Sequence, residues 1–209
     1  MLNRIKNALS ACGVAEWRIM DRTESTAELF FVRRQLDTRR IKDTRKYFVT
    51  LFRKEEKEGT PLCGETTVTL LASMDDAKIE QEIRGAYYAA QFALNPDYAQ
   101  PDPVKEAPVK KTGFLAERPM RETADIMTKA LFEADCRKDA FVNSAEIFVS
   151  KTENRVLSSG GTDVSWTDAT VKGEYVVQCK EPEDVELFYE FEYGECEPEA
   201  LKKDVAEAL

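Results

Sequence analysis

At 209 residues the chain is long enough for one large domain or two small ones, each able to bury a core. Hydrophobic residues make up 43% and charged residues 33%, a globular balance that excludes gross disorder, and no apolar run approaches the length of a membrane-spanning helix. The net charge is −9, and the chain contains no histidine, which removes the commonest general base, the Ser-His and Cys-His nucleophile pairs and the commonest zinc ligand.

Leu2, Ile5, Leu9 and Cys12 recur three or four apart, the stripe of an amphipathic helix that Gly13 would stop. The basic residues among them break any unbroken apolar core of a signal peptide, so export is not expected and the chain reads as cytoplasmic. Period-two runs follow at Trp17 to Ile19, Leu29 to Val32, Tyr47 to Phe52 and Thr66 to Leu71. Charged or Gly/Pro segments such as Lys54 to Gly64 separate them, which predicts antiparallel strands. Ser73 to Asp76 resembles a capping box, opening a helix with Ile79, Ile83, Tyr87, Ala90 and Leu94 on one face. Asn95 to Thr112 holds Pro96, Pro101, Pro103 and Pro108 without apolar periodicity and reads as an extended connector.

Beyond it come a helix carrying Ile126, Met127, Ala130 and Leu131, strands near Ala145 to Ser150, Arg155 to Ser158, Ala169 to Cys179 and Asp184 to Tyr193, and a final helix opened by Pro198. Each half therefore runs helix, antiparallel strands, helix. The expected class is α+β, two repeated units with helices on one face of a sheet: residues 1–94, a proline-rich linker 95–112, and residues 113–209.

Short motifs support the repetition. Thr26-Ala27-Glu28-Leu29-Phe30-Phe31-Val32 matches Ser144-Ala145-Glu146-Ile147-Phe148-Val149-Ser150, and Asp43 matches Asp163, at a near-constant offset along the chain. Strict alternation would turn Leu29 and Ile147 to the core and Glu28 and Glu146 to the other face. The five cysteines are odd in number and lack C-x-x-C spacing, so they read as buried small side chains rather than a disulfide framework or zinc ribbon.

Charge is segregated. Arg33 to Lys54 carries nine Lys/Arg against Asp37 and Asp43, whereas Glu174 to Leu209 carries twelve Asp/Glu against three lysines. The two segments could pair within a chain, between chains, or with separate partners. Basic residues interleave with Phe31, Tyr47, Phe48 and Phe52, but the acidic total and the alternation, which sends Tyr47 and Phe48 to opposite faces, argue against nucleic acid. Glu186, Glu190 and Glu192 alternate with Val185, Leu187, Tyr189, Phe191 and Tyr193, the pattern of a strand with one wet and one apolar face. Ser158 to Asp163 reads first as a hairpin, and its small residues would let the backbone approach a peptide or an anion closely. Candidate peptide or partner contacts are therefore Ser159, Gly160, Gly161 and Asp163 of this hairpin, with Arg39 and Arg40 of the basic segment. No catalytic, cofactor-binding or metal residue is assigned, and no cofactor is expected.

Asn143 to Val149, followed by Glu153-Asn154-Arg155-Val156-Leu157-Ser158-Ser159-Gly160-Gly161-Thr162-Asp163-Val164, resembles the non-catalytic N-terminal region of the TldD/PmbA metallopeptidases, formerly described as modulators of DNA gyrase. Thr26 to Val32 and Thr38 to Thr50 look like that region's earlier strand pair. Ser159-Gly160-Gly161 stands where the family has Asn-Ser-x-Gly, so no role passes to an asparagine, and the first hairpin is basic and lacks the glycine-rich turn. The resemblance implies a module that shapes a substrate cavity or a homo- or heterodimer interface for a peptidase domain or partner subunit. The family's histidine-glutamate metal helix lies C-terminal to this region and is absent here. Expectation therefore divides between part of a longer peptidase and a stand-alone cytoplasmic interaction or scaffold protein, with a carboxylate-based metal enzyme on Glu186, Glu190 and Glu192 as a third reading.

Overall fold

The computed structural model describes all 209 residues. In chain order it contains α1 (Leu2–Ala11), β1 (Glu16–Val32), β2 (Gln35–Lys57), β3 (Thr60–Leu71), α2 (Asp76–Ala89), β4 (Leu94–Pro96), α3 (Phe114–Glu117), α4 (Met120–Ala134), β5 (Ala140–Ser158), β6 (Asp163–Cys179), β7 (Val185–Tyr193) and α5 (Pro198–Ala208). The strands form one open seven-stranded sheet in the order β4-β3-β2-β1-β5-β6-β7. The sequence α-β-β-β-α is traced twice, by α1 to α2 and by α4 to α5. No helix is long and apolar enough to cross a membrane.

Four strands are far longer than the usual five or six residues: β1 has 17, β2 23, β5 19 and β6 17. The backbone N–H of Ser159 donates to the carbonyl of Trp17, and that of Arg33 to the carbonyl of Asn143. These contacts lie sixteen residues apart on both strands, so β1 and β5 run antiparallel in one register, with Leu29 opposite Ile147. The chain packs as two compact units, and each draws on both sides of residues 95–112. The expected boundary at that segment is therefore not where the contacts divide: the long strands give different stretches of themselves to different cores.

The first unit comprises residues 1–23, 45–109 and 153–166. Its core joins Ile5 and Leu9 of α1 to Ile19, Tyr47, Val49, Leu51 and Leu70 of the strands and Ile79 and Ile83 of α2. Gly13, at φ +69°, follows α1, and Asp75, not the expected Ser73, caps α2 by accepting from the Lys78 N–H at 2.7 Å. Lys54 to Gly64, expected to separate strands, is instead the end of one hairpin arm and the start of the next. Glu58 and Gly59 both take positive φ in its two-residue turn, between the paired Lys57 and Thr60. Arg45 closes a bidentate ion pair on the buried Asp21, at 2.9 and 2.7 Å. The proline-rich segment is not a free linker: β4 pairs with β3, and Lys105 and Val109 bridge in parallel to Asp163 and Trp166 of β6.

The second unit comprises residues 24–44, 110–152 and 167–209. Leu29, Phe31, Val142, Ile147, Val149, Val171 and Phe191 of the strands meet Met127 and Leu131 of α4 and Leu201 and Val205 of α5 in one core. Lys151 reaches the carbonyls that end α3, those of Ala116 and Arg118, at 2.7 Å each. The expected apolar face of β7 is only half realised. Phe191 is buried and Tyr189 stacks on Tyr175, but Val185 and Leu187 remain exposed because β7 is the sheet's last strand.

Candidate binding surface on the open face of the sheet

The paired Ala-Glu motifs build a polar surface on the second unit. Alternation turns Ala27, Leu29 and Phe31, with Ala145, Ile147 and Val149, into the helix-covered core, and so sends Thr26, Glu28 and Phe30, with Glu146, Phe148 and Ser150, to the opposite face. There Phe30 and Phe148 meet edge to face with centroids 5.8 Å apart, and Thr26 and Ser150 share a buried hydroxyl hydrogen bond of 2.8 Å. Glu28 is only 5% exposed, yet it is not stranded: Arg40 of β2 ion-pairs with it and lies over the Phe30 ring.

Glu24, Thr26, Glu28, Lys42, Thr44, Phe148, Ser150 and Lys172 line a shallow groove of about 270 Å³. Phe148 and Lys172 also border a second depression, of about 390 Å³, with Gly173, Glu174, Glu190 and Glu192. Glu174 stands directly opposite Glu190, and Lys172 opposite Glu192. Glu146 feels the acidic side of this arrangement: burial raises its pKa, Glu174 and Glu28 raise it further, and Arg40 opposes them. The surface offers hydroxyls, both signs of charge and one aromatic pair. These are the groups that can contact an extended polar chain.

The expected contact residues fall in two places. Ser159, Gly160, Gly161 and Asp163 belong to the first unit, where the chain itself occupies the hairpin. Ser159 is tied to Trp17, its hydroxyl accepting from the Trp17 N–H at 3.1 Å. Asp163 holds Arg155 bidentately at 2.8 Å, which depresses its pKa, and the Asp163 N–H donates to the Val104 carbonyl. A Cβ on Gly160 would meet only the Ser158 hydroxyl, whereas Gly161, at φ +103°, faces Pro103. Arg39 and Arg40 belong to the second unit, and of these Arg40 enters the surface through Glu28 while Arg39 is exposed. Glu186 accepts from the Asn143 side chain, and no cluster of three or more Asp, Glu or Cys side chains converges as metal ligands would. Thr26, Glu28, Phe148 and Ser150 stand in the Ala-Glu motifs but are not among the expected contacts, and Lys172 lies outside both motifs. The period-two pattern of the Ala-Glu motifs was the available signal for the first four.

No family model and no curated protein matches the sequence. Solved structures do match. TldE from Thermococcus kodakarensis superposes with a TM-score of 0.62 at 17% identity, over 98% of this chain and 46% of that one. A proposed modulator of DNA gyrase from Thermotoga maritima gives 0.61 at 13% identity, over 99% and 47%. One from Bacteroides thetaiotaomicron gives 0.57 at 11% identity, over 100% and 50%. The chain has the fold of these proteins. The likeness read from the Ala-Glu strand and the hairpin after it thus holds at the level of fold, and the chain spans about half the length of the structures it matches.

Proposed function

We propose that this chain is a non-catalytic module, similar to the N-terminal region of TldD/PmbA metallopeptidases, that shapes a substrate cavity or a subunit interface for a peptidase domain carried elsewhere. One observation supports this above the others: nearly the whole chain superposes on about half of each matching structure, leaving the rest of those proteins without a counterpart here. The open face described above is the natural wall of such a cavity. It is shallow, mixed in charge and backed by a packed core.

A catalytic zinc needs about three protein ligands around an open position, usually His with Glu or Cys. Purified protein should therefore contain no stoichiometric zinc by elemental analysis and show no chelator-sensitive cleavage of unstructured peptides. Tight one-to-one zinc with chelator-sensitive turnover would overturn the non-catalytic reading. The reading frame downstream of Leu209 should encode a histidine-glutamate helix, or a neighbouring gene should supply one. If neither holds, the second reading gains: a cytoplasmic scaffold acting through its segregated basic and acidic segments. We further propose that the two α-β-β-β-α runs are copies of one unit. Superposing residues 14–94 on 120–209 tests this, and unequal strand orders would refute it.

A further inference from the structure

β2 and β6 hold the same place in the two α-β-β-β-α runs, and each is only half covered by the strand that follows it. β3 reaches β2 from Lys57 to Lys46, and β7 reaches β6 from Cys179 to Val171. The leading part of each strand, Gln35–Arg45 in β2 and Asp163–Thr170 in β6, is thus left with a strand on one side only.

The chain treats these two edges differently. Along β6 an extended stretch of the proline-rich segment completes the edge. The Asp163 N–H donates to the Val104 carbonyl at 2.9 Å, the Val109 N–H to the Ser165 carbonyl at 3.0 Å, and the Lys111 N–H to the Thr167 hydroxyl at 3.0 Å. Lys105 and Val109 form parallel bridges there, so the segment acts as an added strand. Along β2 nothing plays this part. Gln35 to Asp43 is exposed at every residue, including Leu36 and Ile41, and contains no proline to block pairing.

The charge on this edge selects what would pair with it. Of the arginines on this edge, Arg40 is neutralised by Glu28 and Arg45 by Asp21, and in the turn before it Arg34 is neutralised by Asp135. Arg33, Arg39, Lys42 and Lys46 have no carboxylate partner, while Asp43 is engaged by Ser25 at 2.5 Å. We infer that the leading edge of β2, Gln35 to Arg45, is a strand-addition site for an extended acidic segment of a partner protein. The partner's backbone takes the unpaired N–H and C=O groups, and its carboxylates meet Arg39 and Lys42. This inference does not depend on the peptidase reading.

The test uses the full chain and a fluorescein-labelled peptide of about ten residues in which glutamate alternates with threonine and valine. Anisotropy should show saturable, salt-sensitive binding, and hydrogen exchange should slow at the amides of residues 35–45. N-methylating alternate backbone amides of the peptide, which removes strand hydrogen bonds but keeps every charge, should weaken binding by about tenfold or more. The double variant R39E/K42E lies on an exposed edge, so it should fold normally, as circular dichroism will check; it should lose acidic-peptide binding to the same extent. Equal binding of the N-methylated peptide, protection elsewhere, or no binding at all would overturn the proposal. So would concentration-dependent self-association abolished by R39E/K42E, which would make a second copy of the chain the occupant.

Discussion

Ala27-Glu28-Leu29-Phe30 and Ala145-Glu146-Ile147-Phe148 are nearly the same four residues on two strands that pair with each other, and their glutamates have different fates. Both motifs bury the alanine and the aliphatic residue in one core, and both present the glutamate to the open face. Glu28 is closed in by Arg40 of β2, whereas Glu146 is half-buried beside Glu174 of β6 with its pKa raised. The local pattern thus decides which face a side chain takes. The charge it meets there is decided by the next strand over, which the motif does not encode.

The largest effect should come from breaking the partnered side. Arg40→Leu leaves the Glu28 carboxylate buried without a counter-charge and should cost about 2–4 kcal/mol in urea unfolding, reduced from the fully buried limit because Arg40 itself is largely exposed. A cost within about 0.5 kcal/mol would show that Glu28 is solvated and that the two glutamates are equivalent after all. Next comes the backbone behind Glu146. A Cβ at Gly173 would press on the Glu146 carbonyl and the Phe191 ring, so Gly173→Ala should destabilise by about 1–3 kcal/mol.

Smaller still is the hydroxyl pair between the motifs. Ser150→Ala orphans the buried Thr26 hydroxyl and should cost about 1 kcal/mol, while adding Thr26→Val should recover part of that loss. The smallest effect has the opposite sign. Because the folded chain raises the Glu146 pKa, it holds that proton more tightly than the unfolded chain, so this group costs stability as pH rises from the ordinary carboxylate range through the raised value. Glu146→Gln should therefore stabilise the protein at neutral pH by less than about 1 kcal/mol, with the gain vanishing in acid. Glu28→Gln should destabilise. If both exchanges shift the unfolding midpoint in the same direction, the comparison fails.

Much of the architecture was legible in the sequence. The Leu2–Leu9 stripe, the Ile79–Ile83 face and Pro198 each mark a helix that forms, and the Ala-Glu strands take the predicted faces. The strand ends were not legible. From Gln35 to Lys46 β2 has only Leu36 and Ile41 as apolar residues, five apart and so on opposite faces; it has no period-two signal, yet it is held in place by pairing with β1. Val185 and Leu187 misled in the other direction: their alternation is that of a buried face, but an edge position leaves them exposed. The pairings that organise the open face, Glu28 with Arg40 and Thr26 with Ser150, join residues on different strands, and composition or spacing carries no record of such meetings.

The length of the strands has a consequence for how this chain can be taken apart. A nick in the exposed stretch around Asp97 to Pro103 leaves an amino-terminal piece that still owns α1, β1, β2, β3, α2 and β4, and a carboxy-terminal piece with α3, α4, β5, β6, β7 and α5. Neither piece retains all the residues of either compact unit, since residues 24–44 belong with the second and residues 153–166 with the first. Severed halves should therefore be poor folders apart and should regain structure when mixed, so the sequence's most obvious cutting point is a place for fragment complementation rather than for isolating a domain.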